Sequence, residues 1–211
     1  MFTFMREPLN SLTHMAGLIL SALGLIVLLS RAGGATALAA ALIFGLGLMG
    51  LYGASTVYHW VQGPPAVVAR LRMLDHIMIY ILIAATYTPV CLIPLRHSGG
   101  IPLLITIWSL ALGGSILKVL WKKAPRLVYT GLYLGLGWAA VVVIRPLALA
   151  LPMAAVVLLI AGGLAYSAGA VIYGLKPARM KLGPFRYHEI FHLFILLGSL
   201  LHFLMIWQYV L

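Results

Sequence analysis

Residues 188–192 read His188-Glu189-Ile190-Phe191-His192, at the start of an apolar stretch that reaches Leu211 with no formal charge after Glu189. Two imidazoles four residues apart share one face of a helix, which is how a chain presents two nitrogen ligands to one metal ion. The chemistry this suggests is that of a zinc site inside a membrane. The rest of the chain decides whether a third ligand and a proton-transfer group can reach it.

Composition sets the surroundings. Of 211 residues, 64% are hydrophobic and 8% charged, and the mean hydropathy is +1.11, values incompatible with a water-soluble domain of this length. Glu7, Asp75 and Glu189 are the only acids, against 14 Lys and Arg. Each acid therefore calls for a reason. Cys91 stands alone, which rules out an intramolecular disulfide and a thiolate zinc cluster, so any metal must use His, Asp or Glu. The apolar run after Arg6 is too long for a secretory leader and has no small-residue cleavage site, which reads as an uncleaved first span.

Apolar runs of spanning length, roughly 17 to 25 residues, fall at Leu12–Leu29, Leu38–Trp60, Met73–Leu95, Ile101–Trp121, Leu127–Ile144, Leu149–Leu175 and Tyr187–Leu211. Turn-forming clusters separate them: Arg31-Ala32-Gly33-Gly34, Gly63-Pro64-Pro65, His97-Ser98-Gly99-Gly100, Lys122-Lys123-Ala124-Pro125, Arg145-Pro146, and Lys176-Pro177 through Gly183-Pro184. The expectation is an all-α membrane protein, a seven-transmembrane helix bundle forming a single domain over residues 1–211. Arg6, Arg70, Arg72, Lys118, Lys122, Lys123, Arg126, Lys176, Arg179, Lys181 and Arg186 fall on the N-terminal side, leaving Arg31, Arg96 and Arg145 opposite. The positive-inside rule then puts the N-terminus in the cytoplasm and the C-terminus outside. That is the reverse of rhodopsins and G-protein-coupled receptors, and the last span has no Lys for a retinal Schiff base.

This topology gathers polar residues at one depth. Span two runs inward and ends at His59, span three starts near Asp75, and span seven starts with His188 and His192. At 1.5 Å per residue, Ser55 and His192 lie about 6 Å deeper than His59 and His188, each on its partner's face. Ionisable groups in a membrane are costly and usually face the bundle interior with a function or a partner. Zn²⁺ is therefore expected on His59, His188 and His192, with the fourth position open to a water, as in catalytic zinc sites. Zinc lowers the pKa of such a water to roughly 7. Asp75 is the group to hold it and move its proton, and Ser55 could donate a hydrogen bond to it or to an oxyanion.

Plainer readings stand beside these. His14, His76 and His202 read as packing residues, and His97 as a solvated loop residue. Asp75 could instead pair with Arg72, three residues earlier, and Ser55 could simply line a tight helix contact. The pentapeptide also fits the zincin motif, in which Glu189 would be the general base. That reading leaves Asp75 without a role, and the Asn-Pro and Asp-Gly dipeptides expected of an intramembrane protease of the site-two type are absent. A carboxylate at a helix start is favourable in itself.

The opening Glu7-Pro8-Leu9-Asn10-Ser11-Leu12-Thr13-His14, the Ser55-Thr56-Val57-Tyr58-His59 that closes span two, Leu74-Asp75-His76 with Ala85-Thr86-Tyr87-Thr88-Pro89, and the stretch from His188 to His202 together resemble the hemolysin III family. That family lies within the progestin and adiponectin receptor-like group and, more distantly, near the alkaline ceramidases. The resemblance covers nearly the whole chain. It implies a seven-helix bundle with a cytoplasmic N-terminus, zinc on His59, His188 and His192, Asp75 and Ser55 beside the metal, and a multi-pass protein of a bacterial inner membrane. Receptors of the group usually have an amide residue in place of Glu189.

Three functions remain open on this reading: a zinc-dependent hydrolase of a lipid amide, as in ceramidases, or ester bond; a lipid sensor with structural zinc; and a cytolysin, for which the few charges offer no evident pore lining. The expected partners are a membrane lipid and, through the basic loops, anionic inner-leaflet headgroups. Nucleic-acid binding is not expected, because the positive charge is spread over four segments.

Overall fold

Proline and glycine set most of the helix boundaries. The computed structural model describes residues 4–211, which form α1 (Pro8–Arg31), α2 (Ala35–Trp60), α3 (Pro65–Leu92), α4 (Gly100–Leu120), α5 (Arg126–Gly137), α6 (Ile144–Ala150), α7 (Met153–Leu175) and α8 (Tyr187–Tyr209). Pro8 and Pro65 are the first residues of their helices and Pro125 and Pro152 the caps before theirs, positions where a missing N–H costs no helical hydrogen bond. Gly34 and Gly99, at φ +97° and +88°, turn the chain into α2 and α4.

The helices pack as a ring in chain order: α1 on α2, α2 on α3, α3 on α4, α5 on α7, α7 on α8, and α8 back on α1. α3 also touches α5 and α8, so it lies toward the middle. Polarity is turned inward. The buried face of α1 is Asn10, Ser11, His14, Gly17, Ser21 and Leu28, while Leu20, Leu23 and Ile26 are exposed. Apolar side chains on the outside and small or polar ones at the contacts are what a lipid solvent selects, because interhelical packing and hydrogen bonds drive association there.

Among the described residues, six helical segments are long and apolar enough to cross a membrane: α1, α2, α4, α7, α8 and the continuous stretch Arg126–Ala150. The 28-residue α3 is not among them; its first turns carry Arg70, Arg72, Asp75 and His76. It also starts eight residues before the expected Met73.

One local expectation is corrected. Arg145-Pro146 is not an interhelical turn: α5 passes through a 3₁₀ stretch, Trp138–Val143, into α6, and the chain turns at Leu151-Pro152. Pro146 sits in the first turn of α6, where its lack of an N–H is tolerated. The loop before α8 contains a short hairpin, Lys181–Leu182 paired with Phe185–Arg186 around Gly183 at φ +58°.

Candidate metal centre

The site begins with the carbonyls left unpaired at the end of α2. A helix C-terminus leaves its last carbonyls without intrahelical donors, and here the start of α1 supplies them. Arg6 N–H donates to Trp60 O at 3.2 Å, Glu7 N–H to His59 O at 3.0 Å, and the Ser11 hydroxyl to Thr56 O at 3.2 Å. This stitching lays the Glu7 carboxylate on His59, whose Nδ1–H donates to Glu7 Oε2 at 2.7 Å. The bond, helped by Asn10 and Arg6, holds the Glu7 carboxyl down at about 2 although burial pushes it up. His59 is 1% exposed. With Nδ1 committed as donor, its Nε2 lone pair is left to face a ligand.

α8 brings the other two imidazoles. Glu189 accepts the Arg186 N–H at 2.8 Å and so closes the first turn. It does not line the cavity described below, so it acts as a helix-start residue. His192, also 1% exposed, has Nδ1 3.3 Å from Thr13 Oγ1. The Thr13 hydroxyl has one proton and lies 2.9 and 3.0 Å from the carbonyls of Leu9 and Asn10, so toward His192 it accepts. His192 is thereby fixed in the same tautomer as His59.

The three rings stand nearly perpendicular in pairs. Centroids are 5.1 Å apart for His59–His188, 5.0 Å for His59–His192 and 4.9 Å for His188–His192, at 85°, 71° and 79°. One ring nitrogen from each lies within 4.8 Å of the other two. A zinc tetrahedron has an N···N edge of roughly 3.3 Å from its Zn–N distances, so closing on an ion takes ring movements of no more than about an ångström. The donor set fits zinc. Neutral imidazoles oriented through their far nitrogens by a carboxylate and a hydroxyl are the usual support of such a metal.

Asp75 and Ser55 sit beside this group. The Ser55 hydroxyl stands next to the Asp75 carboxyl, and His59 is close enough to act on it electrostatically. The alternative pairing with Arg72 is not made: the ion pairs among the described residues are Arg6–Glu7 and His59–Glu7. Asp75, Ser55, His188 and His192 line one cavity of about 440 Å³ that continues to His202.

Of the histidines read as packing residues, His76 is hydrogen-bonded to the Tyr173 hydroxyl at 3.0 Å, and His202 donates Nδ1–H to Gly198 O at 2.9 Å. His14 is nearer the centre than its sequence position suggests. It stacks on His192 at 3.6 Å and 11°, and neither of its buried ring nitrogens has a partner. Glu7, Thr13 and His14 are the contributors that sequence reasoning missed. The signal present was polar spacing by three and four along the start of an apolar helix.

Residues 2–203 match the haemolysin-III related family. The chain is 39% identical over 202 residues to the hemolysin-3 homolog of Bacillus subtilis, covering 94% of this chain and 92% of that protein. It is 40% identical over 215 residues to hemolysin-3 of Bacillus cereus, covering 100% and 95%. More distantly, it is 31% identical over 173 residues to the human monocyte to macrophage differentiation factor, covering 79% and 68%. A chain so matched, with six membrane-length apolar helices around a group of imidazoles able to hold a metal, is a multi-pass cell-membrane protein that belongs to the haemolysin-III related family.

Proposed function

We propose that this protein is a seven-span, zinc-dependent hydrolase of a lipid amide or ester bond, with its N-terminus in the cytoplasm. The observation that carries the reading is the shared orientation of His59 and His192. Each has its Nδ1 tied to a group from the start of α1, Glu7 or Thr13, which leaves Nε2 free toward a common centre.

His59, His188 and His192 would hold the ion. Bound there, zinc supplies Lewis acidity and a water whose pKa is lowered to roughly 7. The chain's own residues do the rest. Asp75 takes a proton from the attacking water and returns it to the leaving amine or alcohol. Ser55, next to that carboxyl, donates a hydrogen bond to the developing oxyanion. The cavity is mostly apolar in lining, with Leu51, Ile79, Leu82 and Ile195 among its walls, and takes an acyl chain while the scissile bond lies at the imidazoles. The seventh span is α3, whose polar first turns lie at the same end as the metal ligands, where a span meets the headgroup region. The uneven distribution of Lys and Arg supports the orientation.

The test is paired. Purified protein is assayed for bound zinc and for hydrolysis of lipid amides and esters in bilayers, as wild type and as Asp75→Asn. Zinc retained in both with turnover only in the wild type is the expected result; zinc-loaded wild type that hydrolyses neither bond class refutes the enzyme.

A further inference from the structure

The positive-inside rule accounts for the number of cations at this end of the bundle, and exposed Lys123, Arg179, Lys181 and Arg186 already satisfy it. It does not account for four others that converge on the cavity. Arg72, Lys118, Lys122 and Arg126 line the same cavity as Asp75, His188 and His192, though they come from α3, from α4 and its following turn, and from the start of α5. Arg72, Lys118 and Lys122 are shared with an adjoining cavity of about 290 Å³, where Arg70 and His76 join them.

Two of the four are held in place. Lys118 and Arg126 are half-buried. Lys118 Nζ lies 3.7 Å over the Tyr129 ring. The Arg126 guanidinium lies 4.3 Å over the Tyr173 ring and donates to Tyr173 O at 3.0 Å. No carboxylate lies within ion-pair distance of them among the described residues: Glu7 is spent on His59 and Arg6, Glu189 on the Arg186 backbone, and Asp75, which lines the same cavity and acts on Lys118 electrostatically, makes no ion pair. Like charges gathered in partly buried surroundings repel and are poorly solvated. An anion among them relieves that repulsion, and Asp75, one carboxylate against four cations, leaves the mouth net positive.

We infer that this cavity mouth is a headgroup subsite for a lipid phosphate. The occupant is then an anionic phospholipid or lysophospholipid, with its phosphate on Arg72, Lys118, Lys122 and Arg126 and its acyl carbonyl toward His188 and His192. Arg and Lys are the side chains that bind phosphate through charge-assisted hydrogen bonds. The inference rests on the hydrolase reading only for the identity of the substrate; the subsite itself is a statement about binding.

Ether-linked lysophosphatidic acid and the uncharged ether-linked alkylglycerol of the same chain length carry no acyl ester or amide bond for the proposed hydrolysis. Binding of each to the full-length zinc-loaded protein in uncharged detergent gives a preference ratio. The expected ratio favours the phosphate at least about tenfold, and Lys118→Gln with Arg126→Gln brings it toward one. Lys118→Arg with Arg126→Lys keeps it. Lys123→Gln with Lys181→Gln removes equal charge outside the cavity and leaves the ratio unchanged. Should the mouth double variant fail to fold, Lys122→Gln at the exposed rim must still lower the ratio.

Equal binding of the two lipids in the wild type overturns the inference, as does an equal drop for the Lys123 and Lys181 pair, which would reduce the preference to general surface attraction. Inorganic phosphate displacing the lysophospholipid at comparable concentration would assign the mouth to a soluble anion and overturn the lipid part. A phosphate preference without turnover sinks the hydrolase and leaves the subsite; turnover of uncharged lipids alone does the reverse.

Discussion

Helix α8 carries two buried histidines ten residues apart, about 15 Å along its axis, and they are built into opposite kinds of site. His202, 5% exposed, spends Nδ1 on the carbonyl of Gly198 in its own helix and stacks on Tyr166 at 5.3 Å and 13°. Beside it the Ser199 hydroxyl binds those of Tyr52 and Tyr166 at 2.6 and 2.8 Å. Gly162 and Gly198 leave room for these rings: a Cβ on either would come within 2.5 Å of His202 or 2.6 Å of Tyr166. His192 is instead oriented from another helix, through Thr13, and meets three more imidazoles, those of His14, His59 and His188. Burial alone does not mark a functional histidine in a membrane. What separates the two is where the far nitrogen is anchored and what stands opposite the near one.

Substitutions sharpen that contrast. The largest effect is expected at the metal ligands: His59→Ala or His188→Ala abolishes stoichiometric zinc, whereas His202→Ala retains it, as read by metal analysis of purified protein. Next is Asp75→Asn, which keeps zinc and lowers lipid hydrolysis by about 10²–10⁴-fold, the usual worth of a general acid–base group. Glu7→Gln comes third. It leaves the imidazoles in place but weakens the acceptor that orients His59, and zinc affinity falls about 10–100-fold in a chelator competition. Ser199→Ala is the smallest: loss of the tyrosine hydroxyl bonds costs about 1 kcal/mol in thermal unfolding, with zinc content and chelator sensitivity unchanged. Equal zinc loss from His202→Ala and His188→Ala would erase the distinction between the two sites.

The contrast also explains what could be read from the chain. His59, His188 and His192 were legible because hydrophobic runs fix where helices start and stop, and a four-residue spacing fixes the face. Asp75 and Ser55 followed from the same depth argument. Glu7 did not, since its place depends on backbone pairing between the start of α1 and the last turn of α2, which no periodicity encodes. His14 was read as packing because nothing in the sequence says that its ring stacks on His192. A carboxylate at a helix start is favourable on electrostatic grounds alone, and the partner of Glu189 there, the Arg186 N–H, is not visible in the sequence. The break at Arg145-Pro146 was misplaced because proline ends a helix in one context and begins one in another, and the 3₁₀ stretch before α6 leaves no compositional mark. The hairpin before α8 is two residues per strand, too short to alternate.

The central claim is that three imidazoles share one zinc ion. X-ray absorption at the zinc edge of the purified membrane protein, repeated on His188→Ala, tests it most directly. Three imidazole nitrogens and one water oxygen at about 2.0–2.1 Å are expected in the wild type, and no bound zinc in the variant. Wild-type protein that takes up no zinc, or an unaltered spectrum and metal content after the substitution, would contradict it.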